Sequence, residues 1–424
     1  MAGDGLSGSG DRPLAGLRVF HVLVSAAGGA TASALDLIRA HKKMGIESAC
    51  VCAPYGTLAE RDAVRNAVDG RAWFHPLYFW NRKSRVELWK RPALELLQGL
   101  STGWACASAH FVARQVRAFG ADIVHTNSLL VTEGGLAAKA LGKPHLWHLR
   151  ELLGPGSPFR FPLEGAALGA LLQRRSALVV ANSNTTASGL KNILAGECLR
   201  VIPNGIDLSA FVQRRRHRSG KKIVVGMVGS LTSRMKQHRL FVDAAASMRR
   251  MEPTLPLTFC LFGHGAEAST NSQRDAYVAA IHQRVWDEGL QSVWTWRGFV
   301  SQPAQILTEV DVLVHPAEQE SFGRVAVEAM AAGVPVVGPA AGGIGEVVVD
   351  GQTGLLVPPR DSEALARACV RLCADARLRH AFGQAGKRHV RRHYSLDACA
   401  TAVAEGYVYC LRRTDLPHVP RRDP

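Results

Sequence analysis

The segment 312–338, VLVHPAEQESFGRVAVEAMAAGVPVVG, contains a complete strand, loop, helix and second strand. The apolar run VLVHP predicts a buried strand, and Ser321 and Gly323 are expected to open a helix. Gly333 with Pro335 just beyond it predicts the end of that helix, before the strand VPVVG. Buried strands that alternate with helices are typical of a parallel sheet covered on both faces. The segment therefore predicts an α/β fold with a loop at the carboxyl end of a strand.

The same alternation occurs twice along the chain. The first set of predicted strands comprises 18–24, 46–52, 121–127, 144–149 and 177–183. The second set comprises 223–229, 257–263, 293–298, 312–316 and 334–338. We predict two doubly wound, Rossmann-like domains with a cleft between them, since ligands bind beyond the carboxyl ends of such strands. The predicted boundaries are a first domain at 1–202, a linker at 203–222 and a second domain at 223–394.

Composition limits the class of protein. The chain has 424 residues, of which 47% are hydrophobic and 20% charged, so neither wholesale disorder nor a disulfide framework fits. Nine cysteines without CxxC spacing predict a reduced, cytoplasmic setting. No uninterrupted apolar stretch is long enough to span a membrane, and the first residues lack the basic character of a signal peptide. A net charge of +16 favours an anionic partner, for which nucleic acid, phospholipid and nucleotide diphosphate all qualify.

Two acids flank the predicted helix start. The amides of Phe322, Gly323 and Arg324 would face the cleft, and a helix N-terminus favours phosphate. Glu320 and Glu328 would stand on the order of 9 to 12 Å apart along a helix axis, too far to act as one pair on one bond. The spacing suits an elongated ligand with a carboxylate at a sugar, another at a ribose and diphosphate between them. Two ordinary surface acids on an amphipathic helix are the alternative.

The segment ESFGRVAVEAMAAGVPVV resembles the E-x7-E signature of the retaining GT-B glycosyltransferases of family 4, which use nucleotide-sugar donors. Further matches follow in the family's order: GGATASAL, VIPNGID, LFGHG, WRGFV and GGIGEVVVDGQTGLLVPPRD. The resemblance covers about residues 18–410. It implies an acceptor-binding first domain, a donor-binding second domain, and a last helix at 396–412 that packs back on the first domain.

The resemblance also implies roles for individual residues. The catalytic candidates are Glu320, which would position the sugar, His148, which would hydrogen-bond a sugar hydroxyl, and Lys236, which would neutralise the diphosphate. The candidates for donor binding are Glu328, Ser321, Phe322, Gly323, Arg324, Val325, Arg234, Gly229, Gly263 and Gly265. The candidates on the acceptor side are Gly28, Gly29 and Asn127.

One motif departs from the family's pattern. Where G-R-L-x-x-x-K is usual, this chain reads GSLTSRMK from Gly229, so Ser230 stands at the arginine position and Lys236 comes one residue late. Lys236 remains the expected diphosphate cation, and Arg234 could replace the absent arginine from a different backbone position.

The sequence therefore predicts a transfer of sugar from a nucleoside-diphosphate sugar to a carbohydrate or lipid-linked acceptor, with retention of configuration. We expect no metal, because no D-x-D pair occurs, and no cofactor. A nucleotide-sugar epimerase on the same fold is the first alternative. A nicotinamide-dependent oxidoreductase is the second, because Gly263 and Gly265 begin a GxGxxA pattern after an apolar strand. Nucleic-acid binding is not expected, since no RNP motif or recognition helix accompanies the positive charge.

Aromatic residues in the first domain suggest a surface for the acceptor. Together with basic clusters near 214–222, 387–392 and 412–422, they could receive a lipid-linked or polysaccharide acceptor by peripheral association with the inner membrane face. The aromatic residues concerned are Trp73, Phe74, Tyr78, Phe79, Trp80 and Trp89. Packing of these side chains within the domain is the equal alternative.

Overall fold

The computed structural model describes residues 14–80, 91–154, 157, 159–194, 196–211, 222–231, 233–265, 276–300 and 302–414, with only the backbone given at 91–102 and 414. The strands are β1 Arg18–Leu23, β2 Glu47–Cys52, β3 Ala72–Phe74, β4 Ile123–Thr126, β5 His145–Leu149, β6 Leu178–Ala181, β7 Leu199–Val201, β8 Ile223–Val228, β9 Leu257–Phe262, β10 Trp294–Arg297, β11 Val312–Val314, β12 Val336–Pro339 and β13 Gly354–Val357. The helices are α1 Gly29–Lys43, α2 Leu58–Ala67, α3 Arg91–Phe119, α4 Glu133–Ala140, α5 Gly165–Arg175, α6 Asn184–Ser188, α7 His238–Met251, α8 Ala276–Asp287, α9 Pro303–Leu307, α10 Arg324–Ala332, α11 Gly342–Val347, α12 Ser362–Ala374, α13 Ala376–His393 and α14 Leu396–Thr414.

The described strands form two parallel sheets, each within its own lobe. The N-terminal sheet has the order β3-β2-β1-β4-β5-β6-β7, and the C-terminal sheet has the order β10-β9-β8-β11-β12-β13. Chain order reverses between β1 and β4 in the first sheet and between β8 and β11 in the second. Ligands of doubly wound sheets bind at these switch points, so the topology marks the loops after β1, β4, β8 and β11.

The strands form because their residues are apolar on both faces. In β1, Val19, Phe20 and Val22 have no exposed surface. Val19 packs with α1 and α14 on one side of the sheet, whereas Phe20 and Val22 pack with α3 and α4 on the other. A strand covered on both faces by helices belongs in the interior of a parallel sheet, which explains the continuous apolar runs in the sequence.

The chain crosses between the lobes at two adjoining points. The amide of Ile206 donates to the carbonyl of Tyr394 (3.0 Å), and the amide of Leu396 donates to the carbonyl of Ile206 (3.0 Å). Gly205 allows this approach, because a Cβ there would lie 2.6 Å from the Cα of Leu396. After the second crossing, α14 packs on the N-terminal sheet, where Tyr407 Oη lies 2.7 Å from His125 Nδ1.

The structure confirms the ten predicted strands in position and order, and it adds β3, β7 and β13, each at an edge of its sheet. The prediction that Ser321 opens the helix was wrong. The helix α10 begins at Arg324, after Gly323 at φ 90°, and Ser321 lies in the loop before it. The predicted end was correct, since Gly333 adopts φ 78° directly after Ala332.

The predicted aromatic surface is partly interior. Trp80 is buried, and Trp73 stacks on the core residue Phe20 with ring centres 6.0 Å apart. Trp89, the basic cluster at 214–221 and the arginines at 421 and 422 of the last cluster lie outside the described residues. None of the described helices has both the length and the apolar character needed to cross a bilayer.

Candidate functional site

The loops after β8 and β11 meet at the switch point of the C-terminal sheet. The loop after β8 ends in a 3-10 turn, Arg234–Lys236, and the loop after β11 carries Glu320. Lys236 Nζ lies 2.7 Å from Glu320 Oε2, and His315 Nε2 lies 3.5 Å from the same oxygen. The side chains of Lys236 and Glu320 are 27% and 18% exposed, so the pair is enclosed yet reachable from solvent.

The charges at this pair follow from its surroundings. Burial raises the pKa of Glu320, but Lys236, His315 and the amide of Gly323 together lower it by more. The net result is a pKa below the ordinary value. Burial, with Lys236 adding to it, lowers the pKa of His315 to about 4. Near neutral pH Glu320 is therefore a carboxylate and His315 a neutral imidazole.

Glycines hold the Glu320 loop in place. The amide of Gly343, near the start of α11, donates to the carbonyl of Glu320 (2.7 Å), and a Cβ on Gly343 would lie 2.5 Å from the Cα of Phe322. Phe322 is buried and contacts Tyr394 edge-on. Its side chain is an anchor for the loop, and any ligand contact at this position would be through the backbone.

The start of α10 provides amide donors beside this loop. Its first residues, Arg324 and Val325, have no preceding helical turn to which their N–H groups could donate. Gly323 brings the backbone to the site without a side chain. Donors of this kind suit an anion, although the amide of Gly323 itself already bonds the Glu320 carboxylate.

Gly229 after β8 and Gly263 after β9 bring their backbones into close contact. A Cβ on Gly263 (φ 149°) would collide with the carbonyl oxygen of Gly229, and Gly265 also adopts a positive φ of 79°. Next to them, His264 stacks on the half-exposed Phe299, with ring centres 4.2 Å apart and planes inclined by 8°. The loop therefore forms a flat platform at the edge of the site.

The position of this loop argues against the dinucleotide interpretation. A dinucleotide fingerprint follows the strand at the switch point, which is β8 in this lobe, whereas Gly263 follows β9. The remainder of the GxGxxA pattern, 266–268, lies outside the described residues.

Arg324 and Glu328 form a second ion pair, separate from Lys236 and Glu320. Arg324 Nε donates to Glu328 Oε1 (2.8 Å), and the same guanidinium reaches Ser33 and Asp36 on α1. Burial raises the pKa of Glu328, and Arg324 opposes that shift. Burial by itself lowers the pKa of Arg324, but Glu328 and Asp36 together raise it above its ordinary value.

Arg234 lies on the same turn as Lys236 but makes a different contact. Its guanidinium lies 5.4 Å from the centre of the Tyr277 ring on α8, a cation–π distance. Within the described residues it forms no ion pair with Glu320, whose contacts are with Lys236, His315 and the amide of Gly323. Its predicted role as a second diphosphate cation remains a prediction.

On the N-terminal side, Gly28 precedes α1 with φ 94°, a conformation that favours glycine, and Gly29 is the first residue of the helix. Asn127 follows β4 and is buried. Its side chain lies between Arg150 Nη2 (3.4 Å) and His21 Nδ1 (3.3 Å). Contact of Asn127 with the acceptor substrate stays a prediction. In this structure the side-chain amide of Asn127 already bonds Arg150 and His21 inside the lobe.

His148 lies at the end of β5 with no exposed surface. Its Nδ1 is 3.5 Å from Arg150 Nη2, and its Nε2 has no hydrogen-bond partner among the described residues. His125, on the adjacent β4, stacks on His148 with ring centres 5.6 Å apart, and its other face meets the tilted ring of His21 at 5.0 Å. Burial lowers the pKa of all three imidazoles, so they are neutral near pH 7.

The sequence did not single out two groups that the fold brings to the cleft. Arg150 is buried, and its guanidinium donates to Asn204 at the first crossing between the lobes. Glu346 on α11 accepts hydrogen bonds from the amides of Asn184 (2.8 Å) and Thr185 (2.5 Å) at the start of α6. The sequence signals for these two groups were weak. Arg150 stands two residues after His148, and Glu346 ends the segment GGIGE.

Ser183 adds a further contact between the lobes. Its hydroxyl donates to the carbonyl of Ser321 (2.6 Å), so the loop that carries Glu320 touches the N-terminal lobe directly. Among the described residues, no group of three or more histidine, cysteine or acidic side chains is arranged to hold a metal ion.

Comparison with known proteins assigns a likeness to each lobe. Residues 27–210 match the family Glycosyltransferase Family 4, and residues 222–375 match Glycosyl transferases group 1. The D-inositol 3-phosphate glycosyltransferase of Paenarthrobacter aurescens is 31% identical over 224 residues, which is 50% of this chain and 53% of that protein. The GDP-mannose-dependent alpha-mannosyltransferase of Mycobacterium tuberculosis is 28% identical over 262 residues, 59% of this chain and 64% of that protein. The chain thus spans between half and two thirds of the length of these relatives.

The likeness to solved structures extends over almost the whole chain. The Anabaena protein HepE, solved with UDP and glucose, superposes with a TM-score of 0.70 over 92% of this chain and 99% of that chain, at 21% identity. The two parallel-sheet lobes therefore have the GT-B architecture.

Proposed function

We infer that this chain, whose lobes match Glycosyltransferase Family 4 and Glycosyl transferases group 1 in turn, is a glycosyltransferase that moves a sugar from a nucleoside diphosphate to an acceptor. We propose that the acceptor is a carbohydrate or a lipid-linked carbohydrate and that the anomeric configuration is retained. The name of one relative gives D-inositol 3-phosphate and that of the other gives only the donor GDP-mannose, so the acceptor is stated only as a class.

The observation that carries this proposal is the pair of Lys236 and Glu320 at the switch point, next to the N-terminal end of α10. An ammonium and backbone amides on one side suit a diphosphate, and a carboxylate that remains ionised suits sugar hydroxyls, which donate to it. Glu328 lies on the same helix but in a separate ion pair. This supports two contacts along one elongated ligand, with Glu328 at the ribose and Glu320 at the sugar.

In the proposed reaction the bond between the anomeric carbon and the diphosphate oxygen breaks as negative charge develops on the leaving group. Lys236 and the amides of Arg324 and Val325 would stabilise that charge, which is where preorganised donors lower a barrier most. The platform of His264 and Phe299 is suited to a nucleotide base. Glu320 would orient the sugar, and His148 Nε2 would donate to one of its hydroxyls.

The acceptor would bind to the N-terminal lobe, near Gly28 and Asn127, with its hydroxyl directed at the anomeric carbon. The leaving phosphate itself would take the proton of that hydroxyl, so no side chain has to act as the base. The contacts of Arg324, Glu346 and Ser183 across the cleft support a closed arrangement that excludes water from the donor.

The test begins with the nucleotide. UDP, GDP and ADP are each added to the full chain and the unfolding midpoint is measured, since a ligand that binds only the native state raises it. Sugars linked to the diphosphate that binds are then offered with an acceptor panel, and the product anomer is determined by NMR. Transfer with retained configuration supports the proposal, whereas release of an isomerised sugar without acceptor would identify an epimerase.

The proposed independence from metal has its own measurement. Turnover in EDTA is expected to equal turnover in buffer. Complete inhibition by EDTA that a divalent ion reverses would contradict it.

A further inference from the structure

Arg324 joins the two lobes through one guanidinium. Its Nε donates to Glu328 Oε1 (2.8 Å) on its own helix, its Nη2 donates to Asp36 Oδ2 (2.7 Å) and its Nη1 to the Ser33 hydroxyl (3.1 Å), both on α1. A guanidinium is planar and its donors form a rigid fork. The three contacts together therefore restrict the relative position of α1 and α10.

The contact is enclosed. The side chains of Arg324, Asp36 and Glu328 are 20%, 17% and 4% exposed. The other oxygen of Asp36 accepts from Arg39 (3.1 Å), so the two acids and two arginines balance in charge. A charge that is buried to this extent and left without its partner is strongly unfavourable. The contacts of Arg324 with Asp36 and Glu328 should therefore form or break together.

Glu328 keeps one oxygen for a ligand. Oε1 is used by Arg324, and within the described residues no group donates to Oε2. A ligand hydroxyl that donates to Oε2 favours the carboxylate form and the present orientation of Glu328. That orientation in turn holds the guanidinium of Arg324 in the plane that reaches Asp36.

We propose that Arg324 is a positioning residue that couples the occupation of Glu328 by the donor to the docking of α1, with Asp36 as its partner across the cleft. The inference rests on the proposed function, because it takes Glu328 as a contact to the donor's ribose. Coupling is reciprocal: if the donor strengthens the docking of α1, then Asp36 must strengthen the binding of the donor by the same factor.

The experiment measures that factor by calorimetry. UDP, GDP and ADP are titrated into the full chain, and the one that binds most tightly is carried forward. Its binding is then measured for the unmodified chain, Asp36→Ala, Glu328→Gln and the double variant. The same four measurements are repeated with Arg324→Gln present in each protein. Asp36→Ala is expected to weaken binding about ten- to 150-fold, the range for a charge-assisted hydrogen bond, although Asp36 lies on the opposite lobe. The effects of Asp36→Ala and Glu328→Gln should be non-additive with Arg324 present and additive within about twofold without it.

Two further variants keep the result interpretable. Asp62→Ala is the matched control, because Asp62 pairs with Arg65 (2.7 Å) on the surface of α2 in the same lobe, and its binding constant should not change. If Arg324→Gln does not fold by circular dichroism, Arg324→Lys replaces it, since lysine keeps the charge but lacks the fork and should also abolish the coupling.

The outcomes separate the two ideas. If none of UDP, GDP and ADP binds the unmodified chain, the proposed function fails and this inference fails with it. If the diphosphate binds but Asp36→Ala binds it equally well, or the two substitutions are additive with Arg324 present, only the coupling is refuted.

Discussion

Replacing Lys236 with methionine should reduce donor turnover and also change its dependence on pH. Lys236 Nζ lies 2.7 Å from Glu320 Oε2, and the two side chains are 27% and 18% exposed. An exposed pair contributes up to about 1 kcal/mol, whereas breaking a fully buried pair costs about 3 to 5 kcal/mol. For this intermediate case we expect about 1.5 to 3 kcal/mol, the range of a hydrogen bond to a charged group. The corresponding fall in kcat/KM is about ten- to 150-fold.

The pH dependence follows from the causes of the Glu320 pKa. Burial, the largest influence, raises that pKa, and Lys236 is first among the groups that bring it below the ordinary value. The carboxylate form is present above the pKa and is lost as the pH falls through it. Without Lys236 this loss should begin at a higher pH, so the acid limb of the rate profile moves upward.

The assay is the initial rate of diphosphate release from the donor between pH 5 and pH 8, with the unfolding midpoint as a check on folding. Lys42→Met is the matched control, because Lys42 pairs with Asp69 at 2.6 Å on an open surface where both side chains are more than half exposed. If Lys236→Met lowers kcat/KM less than about threefold and leaves the acid limb in place, the pair has no part in catalysis.

Three other predictions concern stability and the interface between the lobes. Burial lowers the pKa of His21 to about 3 and of His41 to about 4, so only the unfolded chain takes up these protons below pH 6.5. Protonation of each histidine in the unfolded chain should lower the free energy of unfolding by about 2 kcal/mol between pH 7 and pH 5, whereas the protein keeps its full stability above pH 6.5. Urea unfolding at fixed pH measures this change, and a profile that is flat with pH would contradict it. Glu346→Gln removes the charge that caps α6 across the cleft and should lower kcat about threefold to thirtyfold by weakening closure, with little change in the unfolding midpoint; unchanged kcat would exclude that role. Gly343→Ala places a Cβ 2.5 Å from the backbone of Phe322, so the Glu320 loop must shift, and turnover should fall at least tenfold while Gly345→Ala, which meets nothing closer than 3.4 Å, serves as the control.

Much of the fold followed from local patterns. Continuous apolar runs mark strands buried on both faces, and Gly333 ended its helix where predicted because the left-handed conformation after a helix favours glycine. The edge strands β3, β7 and β13 were not predicted, since they have three or four residues and β3 and β7 are only partly buried. The start of α10 was misplaced because Ser321 looks like a cap, whereas its carbonyl is used by Ser183 from the other lobe.

In the candidate site, too, local sequence predicted individual residues but not the contacts between distant segments. Spacing identified Glu320 and Glu328 as separate candidates, because seven residues intervene, and the resemblance to the family identified Lys236. Spacing could not show that Lys236 pairs with Glu320 or that Arg324 reaches Asp36, because those partners lie 84 and 288 residues apart in the chain. Spacing likewise could not show that Arg150 contacts Asn127, which follows a different strand and lies 23 residues away in the chain.

The sequence by itself determined the succession of strands and helices, the two lobes and the loops that carry charge, because hydrophobic periodicity and turn chemistry are local properties of the chain. Only the tertiary structure decided which charges meet. The pair of Lys236 and Glu320 and the platform of His264 and Phe299 arise where separate segments come together at the ends of parallel strands, and the contact of Arg324 with α1 arises where the two lobes meet. Such contacts are set by sheet order and by the packing of one lobe on the other, which a list of residues in chain order does not contain.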